Sequence, residues 1–578
     1  MRQEFKGIGA SRGTALGRAR VRLPHALDIE EVHIDESQVE AEIAKMHDAI
    51  THVRSEMDAL RGRLTGALVK EMGEFLDLHA LILDDPELIE SLDKLIRTRL
   101  IVADYALKLQ RDKVTQIFSA MDDTYLRARV DDIDLVLSRI LAALHRQTAK
   151  VDAKVGEILV AENVAPSELQ ELVDQGVIAI VTVMGSMLSH TAILARSMNL
   201  PLVVGAVGVL KTLNDGDTIV CDGGTGLVVV EPDAADLRAH RERDKAYLAE
   251  QKQLDRLRRV PTVTTDGVEV LLYANAESNA DVTKARRLGA TGIGLYRTEF
   301  LFLQSLELPT EEEQFRAYRD VVLGMAGRPV TIRTLDIGAD KADRTGLALR
   351  NEPNPALGLR GVRLSMMRSG LLETQLRALL RASGYGPVRI LVPMVSSREE
   401  VVQVKREIER LSTMLREEGH AVAAQIPLGA MIEVPAAAIA LSTFIKLVDF
   451  VSIGTNDLVQ YILAVDRNNE AIGNLFTPLH PAVLKLMHQV IRLAQKHGRK
   501  VSVCGEMAGD STFTFLLLSL GLREFSLHPT TLLEIRQKIR TANIASLEEH
   551  GKRLLRATST AGIERWMNQY GGMEINPA

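Results

Sequence analysis

From about residue 262 to the C-terminus, short apolar runs recur between helical patterns, near 268–273, 292–295, 329–334, 388–394, 426–432, 448–453, 501–504 and 523–526. Eight strand candidates separated by helices predict a closed parallel (β/α)8 barrel, because helical crossovers bury both faces of each strand and demand near-continuous apolar runs. Such a barrel presents its chemistry at the C-terminal ends of its strands. Arg297 follows Gly292-Ile-Gly-Leu-Tyr, and Arg333 and Asp336 lie in Thr331-Ile-Arg-Thr-Leu-Asp. Glu433 follows Ala430-Met-Ile, Asn456 and Asp457 follow Ser452-Ile-Gly-Thr, and Cys504 follows Val501-Ser-Val. Charged groups are thereby predicted to gather on one face.

Arg297 and Arg333, with Lys341, Arg360 and Arg467 in nearby loops, supply the forked and point charges that hold phosphate and carboxylate oxygens. One arginine at a strand end usually pairs with a neighbouring carboxylate, but several converging on one barrel mouth favour an anionic substrate. Glu433 and Asp457 follow successive strands, and two hard carboxylates beside a phosphate site suit Mg²⁺. Salt bridges to the same arginines are the competing reading. A cysteine at the position of Cys504 is most often small buried core, yet it stands where a proton donor or acceptor would act. Cys221, beside two glycines in a hairpin pattern, reads as structural.

Ahead of the barrel, residues 35–146 carry hardly any strand signal. Val39, Ile43, Met46, Ile50, Val53, Met57, Leu60 and Leu64 alternate at spacings of four and three, predicting a long helix packed on another. Further helical patterns at about 68–83, 87–118 and 123–146 make this region a helical bundle or a pair of hairpins. Glu71, Glu74, Asp77, Asp84, Asp85 and Glu87 cluster beside Leu78, Leu81 and Ile82. That cluster reads either as a solvated helix face or as a docking surface for a small basic protein.

Residues 147–231 are strand-rich, with Gly216 to Val230 patterned as a hairpin. The opening segment Gly7 to Val21 has the same strand-and-turn character. Residues 1–34 and 147–231 are therefore predicted to form one discontinuous α/β domain around the helical insert 35–146. A charged helical linker at 232–261 would lead into the barrel at 262–578.

The run Val177–Val183 reads as a buried strand, followed by Gly185-Ser-Met-Leu-Ser-His190 and a helix through Ala192, Leu194 and Ala195. With Ser189 as N-cap, His190 would lie in the first helical turn. A phosphoryl group on its ring would then face unpaired backbone N–H groups at the positive end of the helix dipole. A capping-turn histidine without chemistry is the alternative.

The 578 residues carry 70 Lys and Arg against 76 Asp and Glu, a net charge of −6 that disfavours a general nucleic-acid binder. The N-terminal segment lacks the apolar core of a secretory signal, and no apolar run approaches the roughly 18 residues needed to span a membrane. A cytoplasmic protein is expected. Two distant cysteines support neither a disulfide framework nor a zinc cage.

The segments Gly292 to Phe302, Leu335 to Lys341, Asn354 to Arg360, Ser452 to Tyr461 and Cys504 to Gly509 together resemble the phosphoenolpyruvate-utilising enzyme family. Within that family the chain looks like the enzyme I group of the bacterial phosphotransferase system, a resemblance that runs from Gly7-Ile-Gly-Ala-Ser through Asp122-Asp-Thr-Tyr-Leu126 to near the C-terminus. It implies phosphoenolpyruvate on Arg297, Arg333, Lys341, Arg360, Asn456 and Arg467, with Mg²⁺ on Glu433 and Asp457. It implies His190 as phosphoryl acceptor, Cys504 as proton donor to the enolate, and the phosphocarrier HPr as partner. A homodimer formed through the barrel is implied as well. Two departures stand out: the loop before His190 carries Ser186-Met187-Leu188 where relatives have a second glycine, and Asp134 replaces a basic residue. A dikinase or synthase of the same family would need an ATP-binding domain for which the chain shows no glycine-rich nucleotide loop. A mainly regulatory role with preserved transfer chemistry, serving a nitrogen-type carrier, is the other alternative.

Overall fold

The computed structural model describes residues 2–22, 31–63, 80, 82–119, 136–137, 139–141, 143–144, 155–164, 168–185, 190–198, 200–303, 307–338, 354–466, 472 and 475–570. The chain divides into two compact units, residues 1–251 and 252–578. Among the described residues no helix is long and apolar enough to cross a membrane.

In the second unit each of the eight predicted apolar runs becomes a parallel strand. For continuity with the strands of the first unit they are numbered β9 (Leu271–Ala276), β10 (Ile293–Tyr296), β11 (Val330–Arg333), β12 (Val388–Val392), β13 (Leu428–Ile432), β14 (Phe450–Ile453), β15 (Lys500–Val503) and β16 (Glu524–Leu527). The sheet closes because β16 pairs back onto β9, from Glu524 opposite Leu271 to Leu527 opposite Ala274. The first strand begins three residues later than its apolar run. Val268 and Val270 are instead taken up by a short antiparallel turn, in which Thr264 N–H donates to Val268 O and Val270 N–H to Thr262 O.

Alternation along each strand sorts side chains into two layers. Ile390, Val392, Ala430, Ile432, Val451, Ile453, Val501 and Val503 face outward into one large core shared with the helices. Leu295, Leu391, Met431, Phe450 and Cys504 meet inside the barrel. Space there is tight: a Cβ on Gly429 would fall 2.3 Å from the Phe450 ring. Polar residues share the interior, where Ser526 Oγ donates to Asn275 Oδ1 (2.6 Å) and Asn275 Nδ2 to the Cys504 carbonyl (3.1 Å).

The first unit contains an eight-stranded sheet built from β1 (Gln3–Lys6), β2 (Ile8–Ser11), β3 (Thr14–Arg22), β4 (Glu157–Ala161), β5 (Ala179–Thr182), β6 (Leu202–Val204), β7 (Thr218–Asp222) and β8 (Leu227–Val230). Their order is β1-β8-β7-β3-β4-β5-β6-β2, with β3 to β6 parallel and the predicted β7–β8 hairpin antiparallel. The sequence thus leaves the sheet at Arg22 and re-enters it at Glu157. Two apolar clusters fill it, one of them including Ala192, Leu194 and Ala195 of the helix His190–Met198.

The helix Val39–Arg63 buries Val39, Ile43, Met46, Ile50, Val53 and Met57 as its heptad spacing predicts. Its partners are Pro86–Arg99 and Ala103–Ser119. These replace the single helix expected over 87–118. The chain breaks at Leu100, where φ is +50°, so that fully buried Ile101 can bridge to His33. Helical periodicity continues across that break, which is why the pattern concealed it.

The Gly429–Phe450 contact yields a direct prediction. Gly429→Ala should cost about 1–3 kcal/mol by overpacking, read as a lower melting temperature of the barrel by calorimetry. Phe450→Leu in the same chain should recover part of that loss. Strictly additive losses would show that the ring is not what the methyl meets.

Candidate active site at the barrel mouth

The C-terminal strand ends bring together residues far apart in sequence. Asp336 after β11, Glu433 after β13 and Asp457 in the first turn of the helix Thr455–Leu463 place carboxylate oxygens within 4.8 Å of one another. Sequence reasoning singled out Glu433 and Asp457 as the metal pair. Asp336 completes the cluster; its position after a strand was visible, but its lean toward the other two depends on barrel packing.

Arg333 runs inside the barrel, with Nη2 donating to Glu299 Oε1 at 2.9 Å and Nη1 3.0 Å from Asp336 Oδ2. Arg360 closes on the same carboxylate, Nε to Oδ1 at 3.2 Å and Nη2 to Oδ2 at 3.0 Å, and Nη2 lies 3.7 Å from Asp457. Burial opposes the charge on both guanidiniums. The surrounding carboxylates outweigh it and hold both arginines well above their ordinary range. Arg333 Nε has no partner among the described residues.

Glu433 is 1% exposed, and one of its oxygens accepts the Met394 N–H at 2.6 Å. Met394 adopts φ +55°, a left-handed backbone unusual for methionine, to present that amide. Burial, followed by the charges of Asp336 and Asp457, pushes the Glu433 carboxyl up to about 8. Buried Arg333 and half-buried Arg360 face Glu299, Asp336, Glu433 and Asp457, so negative charge is in excess. Hard oxygen donors in that condition fit a small divalent cation such as Mg²⁺.

Glycines let the loops approach. A Cβ on Gly454 would sit 2.8 Å from Glu433 Oε2, and one on Gly505 would sit 1.9 Å from Thr455 Oγ1. Cys504 therefore packs beside the Asp457 helix, 3% exposed, with its thiol donating to the Ile453 carbonyl at 3.5 Å. Burial drives this thiol up to about 11, with a hydrogen bond to Ser452 acting the other way. It is a protonated acid at neutral pH. Cys221 is also buried and its thiol is pushed higher still, again by burial.

The other expected site residues are placed unevenly. Arg297 follows β10 and pairs with Glu277 at 2.5 Å. Asn456 lies on the exposed rim, clasping Glu506 through Nδ2 to Oε1 (2.8 Å) and through Oδ1 to the Glu506 N–H (3.0 Å). His190 is the first residue of its helix, but its side chain lies outside the described residues. So do Lys341, Arg467, Asp134 and the Ser186–Ser189 segment. Of the acidic cluster, Glu71, Glu74, Asp77 and the side chain of Glu87 lie outside them too, while Asp84 is held by Arg54.

Family models match most of the chain: the PEP-binding domain of the PEP-utilising enzymes over residues 251–544, their N-terminal domain over 6–129 and their mobile domain over 153–226. The chain belongs to the phosphoenolpyruvate-utilising enzymes. It is 45% identical to a phosphoenolpyruvate-protein phosphotransferase of Cupriavidus necator, over 95% of this chain and 96% of that one. A Priestia megaterium protein of the same name is 39% identical over 97% and 98%, and one from Bacillus subtilis 38% over 98% and 99%. The barrel is thus the PEP-binding domain of an enzyme of this family.

The raised Glu433 carboxyl sets a pH dependence. Its folded value, about 8, lies above its ordinary 4.5, so the stability it contributes is complete below about pH 4.5 and is lost as pH rises through 8. In EDTA, Glu433→Gln should be more stable than wild type at pH 8.5 by an amount on the order of a few kcal/mol, and so melt higher. The difference should shrink toward pH 5, as calorimetry at both pH values will show.

Proposed function

We propose that this chain transfers the phosphoryl group of phosphoenolpyruvate to His190 and then to a histidine of the phosphocarrier HPr, releasing pyruvate. It would thereby perform the first step of a phosphotransferase system for sugar uptake or its regulation. The observation that carries this reading is the barrel mouth itself: buried Arg333 and half-buried Arg360 meet an acidic cluster and a protonated thiol there. Full-length similarity to proteins named phosphoenolpyruvate-protein phosphotransferase supports it.

Arg297, Arg333 and Arg360, with Lys341, Arg467 and Asn456, would bind the phosphate and carboxylate. Fixed guanidiniums suit the charge that spreads over a transferring phosphoryl group. Glu433 and Asp457, with Asp336 beside them, would hold Mg²⁺, which when bound offsets charge on the substrate oxygens. A ring nitrogen of His190 forms the new N–P bond as the P–O bond to the enolate oxygen breaks. The Cys504 S–H then gives its proton to the enolate carbon, and the thiolate regains one from water. On this reading residues 1–34 and 147–231 are the phosphohistidine domain, 35–146 the HPr-docking domain, 232–261 the linker and 262–578 the barrel through which a homodimer forms. The protein would work in the cytoplasm.

With ³²P-labelled phosphoenolpyruvate and Mg²⁺, the wild type should become labelled and pass the label to HPr, whereas His190→Ala should take up none. Label on His190→Ala, or a wild type unable to label HPr, would sink the proposal. Cys504→Ala should slow pyruvate formation by about 10²-fold or more, as loss of a positioned acid does. Phosphorylation of His190 by phospho-HPr should be unaffected by that change.

A further inference from the structure

The chain that carries Arg333 into the mouth is held by a buried polar network beneath the substrate-facing surface. Four successive residues leave β11, and each has one backbone group tied down. Thr298 Oγ1 donates to Arg333 O (3.0 Å), Thr334 N–H to Leu391 O (2.9 Å), Leu335 N–H to Gln375 Oε1 (2.8 Å) and Asp336 N–H to Glu299 Oε1 (3.1 Å). The same Glu299 oxygen receives Arg333 Nη2 at 2.9 Å.

The network continues outward. Gln375 Nε2 donates to Tyr318 Oη (3.0 Å) and Thr298 Oγ1 (3.3 Å), Tyr318 Oη to Gln314 Oε1 (3.1 Å), and Gln314 Nε2 to Pro309 O (2.9 Å). Thr298, Gln314 and Gln375 are each 1% exposed and Tyr318 is wholly buried. A barrel needs none of these polar groups to close, and apolar residues would fill the same volume without the cost of desolvation. What they supply is a fixed backbone path and a fixed guanidinium orientation at the substrate end.

We propose that Glu299 and Gln375 are positioning residues for phosphoenolpyruvate binding. Glu299 would set the Arg333 guanidinium and the Asp336 amide, and Gln375 the Leu335 amide between them. Neither needs to touch the substrate. Displacement by about 1 Å at a phosphoryl-binding arginine can cost about 10²-fold in rate, so small losses of alignment should be visible in kinetics.

This inference rests on the function proposed above, and its test separates the two. Glu299→Ala and Gln375→Leu should lower kcat/KM for phosphoenolpyruvate by about 10- to 100-fold, with a raised KM. Glu299→Gln keeps an acceptor oxygen for the Asp336 N–H and should recover at least part of the loss. His190 phosphorylation by phospho-HPr, which bypasses the barrel, should stay at wild-type rate in all three variants. Unchanged phosphoenolpyruvate kinetics in Glu299→Ala and Gln375→Leu would overturn the inference. So would losses in all three variants that merely follow the unfolded fraction seen by calorimetry. Failure of reverse phosphorylation in the wild type would instead overturn the proposed function.

Discussion

Everything at the barrel mouth depends on the pairing of β16 with β9. Without that closure the sheet would have two free edges, and the strand ends would fan out along a twisted ribbon instead of converging. With it, residues from opposite ends of the second unit become neighbours. Asn275 on β9 reaches the Cys504 carbonyl after β15, and Ser526 on β16 fixes Asn275. The proton-donating candidate is therefore located by the seam of the barrel as much as by its own strand. Gly454 and Gly505 extend the same economy of space to the loops, allowing the Cys504 turn and the Asp457 helix to close on Glu433.

Closure also imposes an electrostatic cost. It gathers Glu299, Asp336, Glu433 and Asp457 around Arg333 and Arg360 with little water to screen them. Ion pairs of this kind repay their desolvation only when geometry is good and charges balance. Here Asp336 is well matched, lying between two guanidiniums, while Glu433 is left holding a proton at neutral pH. Such a site, left to itself, carries more negative charge than its two arginines neutralise. Strain points the same way, because Met394 accepts a left-handed backbone in order to hold Glu433 through its amide.

The sequence made the scaffold legible and the connections between strands much less so. All eight barrel strands were readable because burial on both faces leaves an apolar run that solvent-facing chain does not keep. The three-residue offset of β9 arose where half-buried Val268 and buried Val270 serve another purpose, a turn that pairs with Thr262 and Thr264. The break at Leu100 escaped because the apolar spacing suits one helix or two. At the mouth, Glu433, Asp457 and Arg333 were visible from their places at strand ends, and Arg360 from a loop nearby. Glu299 and Gln375 were not: their meaning lies in which amide each one meets across the barrel, and spacing along a chain does not encode that.

Cys504 shows how the bland and the chemical reading of one residue can both hold. As a small buried side chain it packs with Leu295, Leu391, Met431 and Phe450, as a core cysteine should. Nucleophilic cysteines need the opposite setting, with exposure and nearby cations or a helix N-terminus that lower the thiol. Burial here raises it to about 11, which removes the thiolate and leaves a weak acid at the edge of a charged mouth. An enolate carbon is protonated by an acid that still holds its proton when the enolate forms. The packing that makes Cys504 look structural is thus also what keeps its thiol protonated, the state the proposed donor role requires.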